Sequence, residues 1–304
     1  MAPLRRPPVR LVRSVAQTLS RGAARIRPEA GRLPPWERTV LDDIAVRRPW
    51  NIVVKFARMR ARCRMMFTKS IDGVTVVIVN WNTRQVLADV LRAVQRLSPP
   101  DTRILVVDNG STDGSRDMLR AWPGIRTMLL RSNAGHGVAL DLGICAARTR
   151  VAVALDSDAI PLTEGWLSPA VEPLRTGRVV LAGLRSRRNF VHPVYLAVDT
   201  EEFVRRRLSM QLHRPTGGDA DATVWGTNAW DTAELLTPRL DANEVRFVEP
   251  TVNIVDGLPG MTVGGVVYHH GGVTRATDGA VTDEALRGWA EACASLTAAM
   301  GAKV

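Results

Sequence analysis

Cysteine is scarce in this chain, and its placement excludes two classes of small, cross-linked protein. The three cysteines, Cys63, Cys145 and Cys293, are far apart, and no two of them form a CxxC pair. This spacing argues against a disulfide framework and against a structural zinc site. We therefore expect a reducing environment and a cytoplasmic protein.

Long apolar runs are missing as well. No stretch reaches the roughly 18–20 apolar residues that a membrane-spanning helix requires. A long apolar segment followed by a small-residue cleavage site is also absent, so secretion is not expected. With 304 residues, 45% of them hydrophobic and 23% charged, the chain can bury one large α/β core.

The net charge of +11 belongs to one end of the chain. Residues 1–70 hold 17 basic and 4 acidic residues, whereas residues 71–304 hold 24 basic and 26 acidic ones. Within this N-terminal basic arm, residues 9–28 fit a basic amphipathic helix on an anionic membrane, a transit peptide or a poorly ordered tail. Peripheral contact with the inner face of the membrane thus stays open. A nucleic-acid partner is not expected, because the rest of the chain is near neutral and aromatic residues make up only 5%.

Strand-like and helix-like segments alternate over residues 74–160. Apolar, β-branched runs typical of fully buried strands occur at four places: 74–79, 103–108, 125–130 and 151–156. Helical spacing of apolar residues fills the intervals between them. This alternation predicts a doubly wound, mostly parallel α/β sheet.

Each of the four strand-like runs leads into a polar cluster. The clusters are Asn80-Trp81-Asn82, Asp108-Asn109-Gly110-Ser111, Arg131-Ser132-Asn133-Ala134-Gly135 and Asp156-Ser157-Asp158. In doubly wound sheets, ligands bind at the carboxyl ends of the strands. Turn chemistry explains one or two such clusters more easily than four. The GxGxxG, GxxxxGK[ST] and GxSxG motifs are absent, so dinucleotide binding, a phosphate loop and a nucleophile elbow are not expected.

The last cluster has a specific chemistry. Two carboxylates two residues apart, just past a strand end, can perform different tasks. One of them can reach a ribose hydroxyl, and the other can hold a hard divalent ion that bridges a pyrophosphate. Mg²⁺ or Mn²⁺ there would neutralise the charge that develops on a departing diphosphate.

These four segments resemble, in order and spacing, the family 2 glycosyltransferases of the GT-A fold. The asparagine-glycine pattern after the third strand resembles the branch that includes rhamnosyltransferase-type enzymes. The resemblance covers about residues 74–275. It implies a GT-A catalytic domain over 71–280, with a nucleotide-sugar half (74–160), an acceptor half (161–280) that forms an acceptor-side extension, and a C-terminal helix over 281–304.

The resemblance also implies roles for individual residues. The expected donor-binding residues are Asn80, Trp81, Asn82, Asp108, Asn133, Gly135 and Asp156. Asp158 is the expected metal ligand, and a histidine after the strand-like run at 266–268 would complete the site. We expect His270 in that role, with a histidine satisfied in the core as the alternative. An imidazole ligand favours Mn²⁺ over Mg²⁺. His136 and His192 are expected to be structural or exposed.

In the acceptor half, Asp231 falls on the catalytic aspartate of the family pattern. This sequence departs from that pattern, because Trp230 stands where the family usually has glutamate. Glu234 and Asp241 therefore remain rival general bases. The pattern also predicts a helix directly after Asp231, which makes an N-cap role the alternative for this residue.

The resemblance implies an inverting, metal-assisted glycosyltransferase of hexosyltransferase type. Its donor would be a nucleotide-diphosphate sugar, with dTDP or UDP favoured by the resemblance alone, and its acceptor a glycan, a lipid-linked molecule or a protein. One rival is a nucleotidyltransferase, but the glycine-rich loop expected after the first strand is missing. The other rival is a non-enzymatic protein that binds nucleic acid or a membrane through the basic arm.

Overall fold

The chain divides into two compact units, Met1–Phe56 and Ala57–Val304. The computed structural model describes residues 35–211, 231–251, 260–271 and 282–301, with side chains from residue 50 to residue 296 of these ranges. Within the first unit, the described residues are helical and begin helix α1 (Pro35–Phe67). Residues 9–28, the candidate segment for membrane contact, lie outside the described ranges. The expected domain boundary at residue 70 stays a prediction.

A seven-stranded sheet forms the centre of the second unit. Its strands, numbered in chain order, are β1 (Ile71–Asn80), β2 (Arg103–Asp108), β3 (Ile125–Leu129), β4 (Thr149–Asp156), β6 (Leu181–Arg185), β7 (Val191–Asp199) and β8 (Val245–Val248). Their order across the sheet is β3-β2-β1-β4-β7-β6-β8. All neighbours are parallel except that β7 runs antiparallel to β4 and β6. The predicted mostly parallel, doubly wound α/β sheet is thereby confirmed.

Helices connect and cover the strands. After α1 they are α2 (Arg84–Leu97), α3 (Ser115–Ala121), α4 (His136–Ala146), α5 (Ser168–Arg175), α6 (Thr200–Arg205) and α7 (Asp283–Gly301). α2 buries Val86, Leu87, Val90, Leu91 and Val94, whose spacing places them on one face. No helix among the described residues is both long enough and apolar enough to cross a membrane.

The continuous β-branched run of β1 is explained by burial on both faces. Val76, Val77 and Ile78 are fully buried in the middle of the sheet. α4 packs so closely on this strand that a Cβ atom at Gly143 would lie 2.4 Å from Cγ1 of Val77. Glycine is therefore required for this close approach of α4 to the sheet.

A second, smaller sheet lies beside the carboxyl edge. Its strands are β5 (Ala159–Pro161), β9 (Pro250–Thr251), β10 (Met261–Val263) and β11 (Val267–His269). They pair in the order β5-β11-β10-β9, and all pairs are antiparallel. In this register His269 lies opposite Ala159, the residue that directly follows Asp158.

The prediction of a helix directly after Asp231 is wrong. Residues 231–244 form turns and two short 3₁₀ helices, Thr237–Arg239 and Ala242–Glu244. Ala233 has a φ of 65°, in the left-handed region, and its N–H donates to the carbonyl oxygen of Met210 at 2.9 Å. This tertiary hydrogen bond takes the place of the local bonds that a helix would need.

Candidate functional site

The ends of β1 and β2 are joined by a buried polar network. Nδ2 of Asn80 donates to Oδ1 of Asp108 and to Oγ of Ser111, both at 3.0 Å. The backbone N–H of Ser111 donates to Oδ2 of Asp108 at 3.2 Å. Asn80 and Asp108 are both fully buried. These two predicted donor-binding residues therefore fix the loops after β1 and β2, and their side chains do not face solvent.

Asn82 ties the same two loops together from the outside. Its backbone has a φ of 55°, and its N–H donates to Oγ of Ser111 at 3.0 Å. Its side-chain Oδ1 accepts from the N–H of Thr112 at 2.8 Å. Trp81, which precedes it, is partly exposed at this edge. In the predicted cluster after β1, Trp81 is thus partly exposed, whereas Asn82 holds the backbone of the two loops.

The loop after β3 is held by asparagine pairs. Nδ2 of Asn109 donates to Oδ1 of Asn133 at 2.9 Å, and that oxygen also accepts from the N–H of Gly135 at 2.8 Å. Oδ1 of Asn109 accepts from the N–H of Ala134 at 2.8 Å. Gly135 has a φ of 88°, and a Cβ atom there would meet no atom of the described residues within 4 Å, so open space lies beside it. The loops after β1, β2 and β3 form one connected edge.

Two carboxylates and one imidazole form a compact group at this edge. One ligand atom of each of Asp156, Asp158 and His269 lies within 4.8 Å of the others. Nε2 of His269 is 3.3 Å from Oδ1 of Asp158. Asp158 is buried, whereas Asp156 and His269 are half-buried. Carboxylate oxygens and an imidazole nitrogen are a donor set that suits Mn²⁺.

The register of the small sheet explains why His269 joins the carboxylates. Asp158 leads directly into β5, and β5 pairs with β11, which ends at His269. Burial alone would raise the pKa of Asp158, but the neighbouring His269 outweighs burial and holds that pKa below its usual value. The carboxylate is therefore ionised and ready to act as a ligand at neutral pH.

His270, the histidine expected as a metal ligand, has other partners. Its Nδ1 lies 3.0 Å from the hydroxyl oxygen of Tyr268, and its ring meets the edge of Trp289 of α7 at 5.8 Å between centroids. Burial lowers the pKa of His270. The structure brings His269, and not His270, together with Asp156 and Asp158.

His136 approaches the same group from α4. Its Nε2 lies 3.5 Å from Oδ1 of Asp156. Gly137, the next residue, approaches the backbone of Met210 and Gln211. A Cβ atom at Gly137 would lie 2.6 Å from the carbonyl oxygen of Met210. This tight contact at Gly137 is therefore one between two protein segments.

Asp231 lies in a second polar group. Its Oδ2 is 3.1 Å from Nε2 of His192 and 3.7 Å from Nη2 of Arg188, while its Oδ1 accepts from the N–H of Thr232 at 2.8 Å. Burial would raise the pKa of Asp231, but the hydrogen bond from His192 outweighs it and leaves the pKa below its usual value. At 44% side-chain exposure, the ionised carboxylate remains accessible to a ligand.

Strand pairing places this second group at the edge that carries Asp156. β7 is antiparallel to β4, and Tyr195 pairs with Leu155. His192 comes three residues before Tyr195 and so lies beyond the carboxyl end of β4. Asp231, which contacts His192, is therefore on the same edge of the sheet as Asp156.

The two rival bases have structural tasks. Oε2 of Glu234 accepts from the N–H of Asp231 at 2.8 Å and lies 3.0 Å from Nη1 of Arg188. Asp241 forms a capping box with Glu244 at the start of a 3₁₀ helix. Because that helix leads into β8, which is parallel to β6, Asp241 lies at the amino edge of the sheet.

Sequence reasoning missed the contacts that three histidines make with these carboxylates. His269 is distinguished from His270 only by the pairing of β11 with β5, which are more than a hundred residues apart. His136 carried one usable signal, its position at the start of the helix after the third polar cluster. His192 carried none, because its contact with Asp231 depends on chain segments far apart in sequence.

Comparison with known protein sequences identifies one family, whose members are glycosyltransferases. The model of glycosyl transferase family 2 matches residues 75–230, just over half of the chain. A glycosyltransferase of Nostoc sp. is 32% identical over 115 residues, which cover 35% of this chain and 34% of that protein. A glycosyltransferase of Mycobacterium tuberculosis is 33% identical over 114 residues, which cover 38% of this chain and 49% of that protein. The chain thus spans between about a third and a half of the length of these relatives.

Two solved structures resemble about half of this chain. The mannosyltransferase PcManGT of Pyrobaculum calidifontis, in complex with GDP-Man and Mn²⁺, has a TM-score of 0.40 and 21% identity over 54% of this chain and 57% of that chain. TarS of S. aureus in complex with UDP has a TM-score of 0.40 and 13% identity over 46% of this chain and 50% of that chain.

Proposed function

Because the chain belongs to glycosyl transferase family 2, we propose that it transfers a sugar from a nucleotide-diphosphate sugar to a hydroxyl acceptor, with inversion at the anomeric carbon. Family membership confirms the predicted enzyme class, a glycosyltransferase. The observation that carries the finer proposal is the group of Asp156, Asp158 and His269, with ligand atoms within 4.8 Å of one another at the carboxyl edge of the sheet.

The residues at this edge fit a divalent ion. Asp158 and His269 would hold it directly, and Asp156 lies near enough to share the ion or to contact the ribose. A bound Mn²⁺ or Mg²⁺ would neutralise charge on the diphosphate leaving group. The imidazole nitrogen in the donor set favours Mn²⁺. His269 thus replaces His270 in the proposed metal site.

We assign the general base to Asp231. Its carboxylate would accept the proton of the acceptor hydroxyl while the acceptor oxygen forms a bond to the anomeric carbon. The bond from that carbon to the diphosphate oxygen breaks, and its electron pair leaves with the nucleotide diphosphate. Asp231 is accessible, ionised and at the edge of Asp156, whereas Glu234 is bound to Arg188 and Asp241 is at the opposite edge.

The donor would be bound by the three connected loops. Trp81 is the partly exposed surface after β1, and Gly135 leaves open space beside the loop after β3. Asn80, Asp108, Asn82 and Asn133 would act mainly by holding these loops in place, since their side chains are engaged with one another and with loop backbone. A base that stacks on Trp81 is compatible with this arrangement.

The identity of the substrates stays a proposal. The expectation of a dTDP- or UDP-linked donor, and of the rhamnosyltransferase-like branch, rests on resemblance of sequence. A glycan, a lipid-linked molecule and a protein remain the candidate acceptors. The peripheral membrane contact of residues 9–28 also remains a prediction, because those residues lie outside the described ranges.

A donor screen tests the proposed function. Hydrolysis of UDP-, GDP- and dTDP-sugars would be measured with the full chain, with and without Mn²⁺, and the Asp158→Asn variant would serve as control. Metal-dependent release of one nucleotide diphosphate, lost in Asp158→Asn, is the expected result. Metal-independent hydrolysis that survives in Asp158→Asn would contradict the metal assignment.

A further inference from the structure

The C-terminal part of α1 and the residues that follow it carry an unusual surface. Among the described side chains from Ala57 onward, every exposed large apolar residue lies here: Met59, Met66, Phe67 and Ile71. Phe67 is 82% exposed and Met66 70%. Large apolar groups that are concentrated in one exposed patch mark an interaction site more often than single, scattered ones do.

The helix is anchored by its opposite face. Ala61 is fully buried, Arg58 donates to the carbonyl oxygen of Leu208, and Nη2 of Arg64 donates to the carbonyl oxygen of Ala147 at 2.6 Å. Met59, Cys63 and Met66 follow a spacing of four and then three residues, which places them together on the outer face. The apolar outer face is therefore fixed by how the helix packs, in contrast to an ordinary surface helix, whose outer face is polar.

Cations flank this apolar face. Arg60, Arg62 and Lys69 are exposed, and residues 57–71 contain no acidic residue. From the neighbouring α6, Glu201 accepts a hydrogen bond from Oγ of Ser70 at 2.5 Å, so one carboxylate faces the end of the segment. Asp72, which is also exposed, directly follows Ile71, so three exposed cations stand against two carboxylates and the surface keeps a net positive charge.

We propose that residues 59–71 form a docking surface for an anionic lipid bilayer. Phe67, Met66 and Met59 would enter the boundary between headgroups and acyl chains, and Arg60, Arg62 and Lys69 would contact the lipid phosphates. A second copy of this chain fits less well, because the same cations would face one another across a symmetric interface.

The surface is separate from the proposed active site, so this inference goes beyond the proposed function. Arg64 binds the C-terminal end of α4, whereas His136, at the N-terminal end, lies beside Asp156. The eleven residues of α4 span roughly 16 Å at about 1.5 Å per residue. Docking at the far end leaves the carboxyl edge of the sheet open to a donor that arrives from water.

Vesicle flotation of the full chain tests the proposal. The vesicles would contain phosphatidylcholine alone or equal parts of phosphatidylcholine and phosphatidylglycerol. We expect binding to the anionic vesicles, and a loss of roughly tenfold or more in the partition coefficient of the Met66→Ser/Phe67→Ser variant. The Met66→Leu/Phe67→Leu variant keeps apolar side chains and should bind as the unchanged chain does.

A charge pair provides the second arm of the experiment. Arg60→Gln/Arg62→Gln should weaken binding to anionic vesicles roughly ten- to thirtyfold, because each cation near the surface contributes about 1 kcal/mol. Arg175→Gln/Arg178→Gln removes the same charge from another exposed place and should have little effect. Donor hydrolysis should be unchanged in all these variants.

Three outcomes would overturn the proposal. Equal binding by the serine variant and the unchanged chain would mean that any membrane contact is made elsewhere. Failure of the unchanged chain to bind anionic vesicles would exclude the surface outright. Sedimentation that shows a dimer, lost in the serine variant, together with no vesicle binding, would assign the surface to a second copy. Circular dichroism of the serine variant should match the unchanged chain, because both side chains are exposed.

Discussion

Nε2 of His192 lies 3.1 Å from Oδ2 of Asp231, while Nδ1 of the same ring accepts a hydrogen bond from the N–H of Val194 at 3.2 Å. A neutral imidazole carries one proton. Since Nδ1 accepts, that proton is on Nε2, and His192 donates to the carboxylate. The arrangement orients Asp231 and keeps it ionised, as a general base requires.

Replacement of Asp231 is the direct test of its role. In Asp231→Asn the side chain can still accept from the N–H of Thr232, so the free energy of unfolding should change little. Transfer should fall roughly 10²–10⁴-fold, the usual contribution of general-base catalysis. Steady-state transfer and calorimetry of nucleotide diphosphate binding are the measurements, and binding should persist.

Asp241→Asn is the matched control for that variant. Asp241 caps a 3₁₀ helix at the opposite edge of the sheet, and its loss should leave transfer near normal. If Asp231→Asn keeps near-normal transfer while Glu234→Gln or Asp241→Asn loses it, the general base is the residue whose replacement abolishes transfer.

His192 is expected to set the pH dependence of transfer. Its hydrogen bond holds the pKa of Asp231 low, so His192→Phe should raise that pKa. The base would then be protonated at higher pH, and the acid limb of the kcat/KM profile should move to higher pH. His192→Gln can keep an N–H donor and should shift the limb less. If the acid limb of the profile does not move in His192→Phe, His192 does not influence the pKa of Asp231 and only packs against Phe190.

The two adjacent histidines of the small sheet should differ in their effect on metal binding. His269→Gln should abolish Mn²⁺-dependent binding of nucleotide diphosphate, because it removes a ligand from the group with Asp158. His270→Gln should retain that binding, because His270 faces Tyr268 and Trp289. Calorimetry with and without Mn²⁺ decides between them, and the reverse result would return the metal to His270.

Much of the fold could be predicted from local sequence. Strands buried on both faces need continuous apolar side chains, which made the runs at 74–79 and 151–156 recognisable. Parallel strands bring their carboxyl ends to one edge, so the polar clusters of this edge were predictable as neighbours. The contact between Asn109 and Asn133 shows how closely that edge is joined.

The parts that sequence could not provide depend on long-range pairing. Whether His269 or His270 approaches Asp158 is decided by the one-residue register of β11 against β5, since a shift by one residue turns each side chain to the other face. The prediction of a helix after Asp231 was wrong because the N–H of Ala233 donates to the carbonyl oxygen of Met210. Local helix propensity does not take such a distant partner into account.

Two helical glycines, Gly143 of α4 and Gly288 of α7, should respond in opposite ways to replacement by alanine. Gly143→Ala would place a methyl group 2.4 Å from Val77 and should lower the free energy of unfolding by about 1–3 kcal/mol. At Gly288 of α7, the nearest atom would be Nε2 of His270 at 3.5 Å, an ordinary contact. Gly288→Ala should therefore raise stability by about 0.5–1 kcal/mol through helix propensity. Urea unfolding measures both, and equal effects would contradict the packing argument.

The carboxyl group of Asp141 in α4 is fully buried, and it holds residues 209–211 in place. It accepts hydrogen bonds from Oγ of Ser209 at 2.6 Å, from the N–H of Met210 at 2.8 Å and from Nε2 of Gln211 at 2.8 Å. Met210 in turn accepts from Ala233, so the carboxyl group supports the turn that begins at Asp231. Burial raises the pKa of Asp141, although these three donors oppose the rise.

The sign of the resulting pH effect follows from proton binding. With a raised pKa, the folded state binds a proton at a pH where the unfolded chain has released it, so stability falls as pH rises through the folded pKa. The contribution of Asp141 should therefore grow as pH is lowered from neutral and be complete below the unfolded pKa. Asp141→Asn cannot titrate, and other acids cancel in the comparison, so the stability of the unchanged chain relative to Asp141→Asn should increase on acidification. Urea unfolding across this range measures the difference. A difference that stays constant, or shrinks toward acid pH, would mean that Asp141 is held ionised by its three donors.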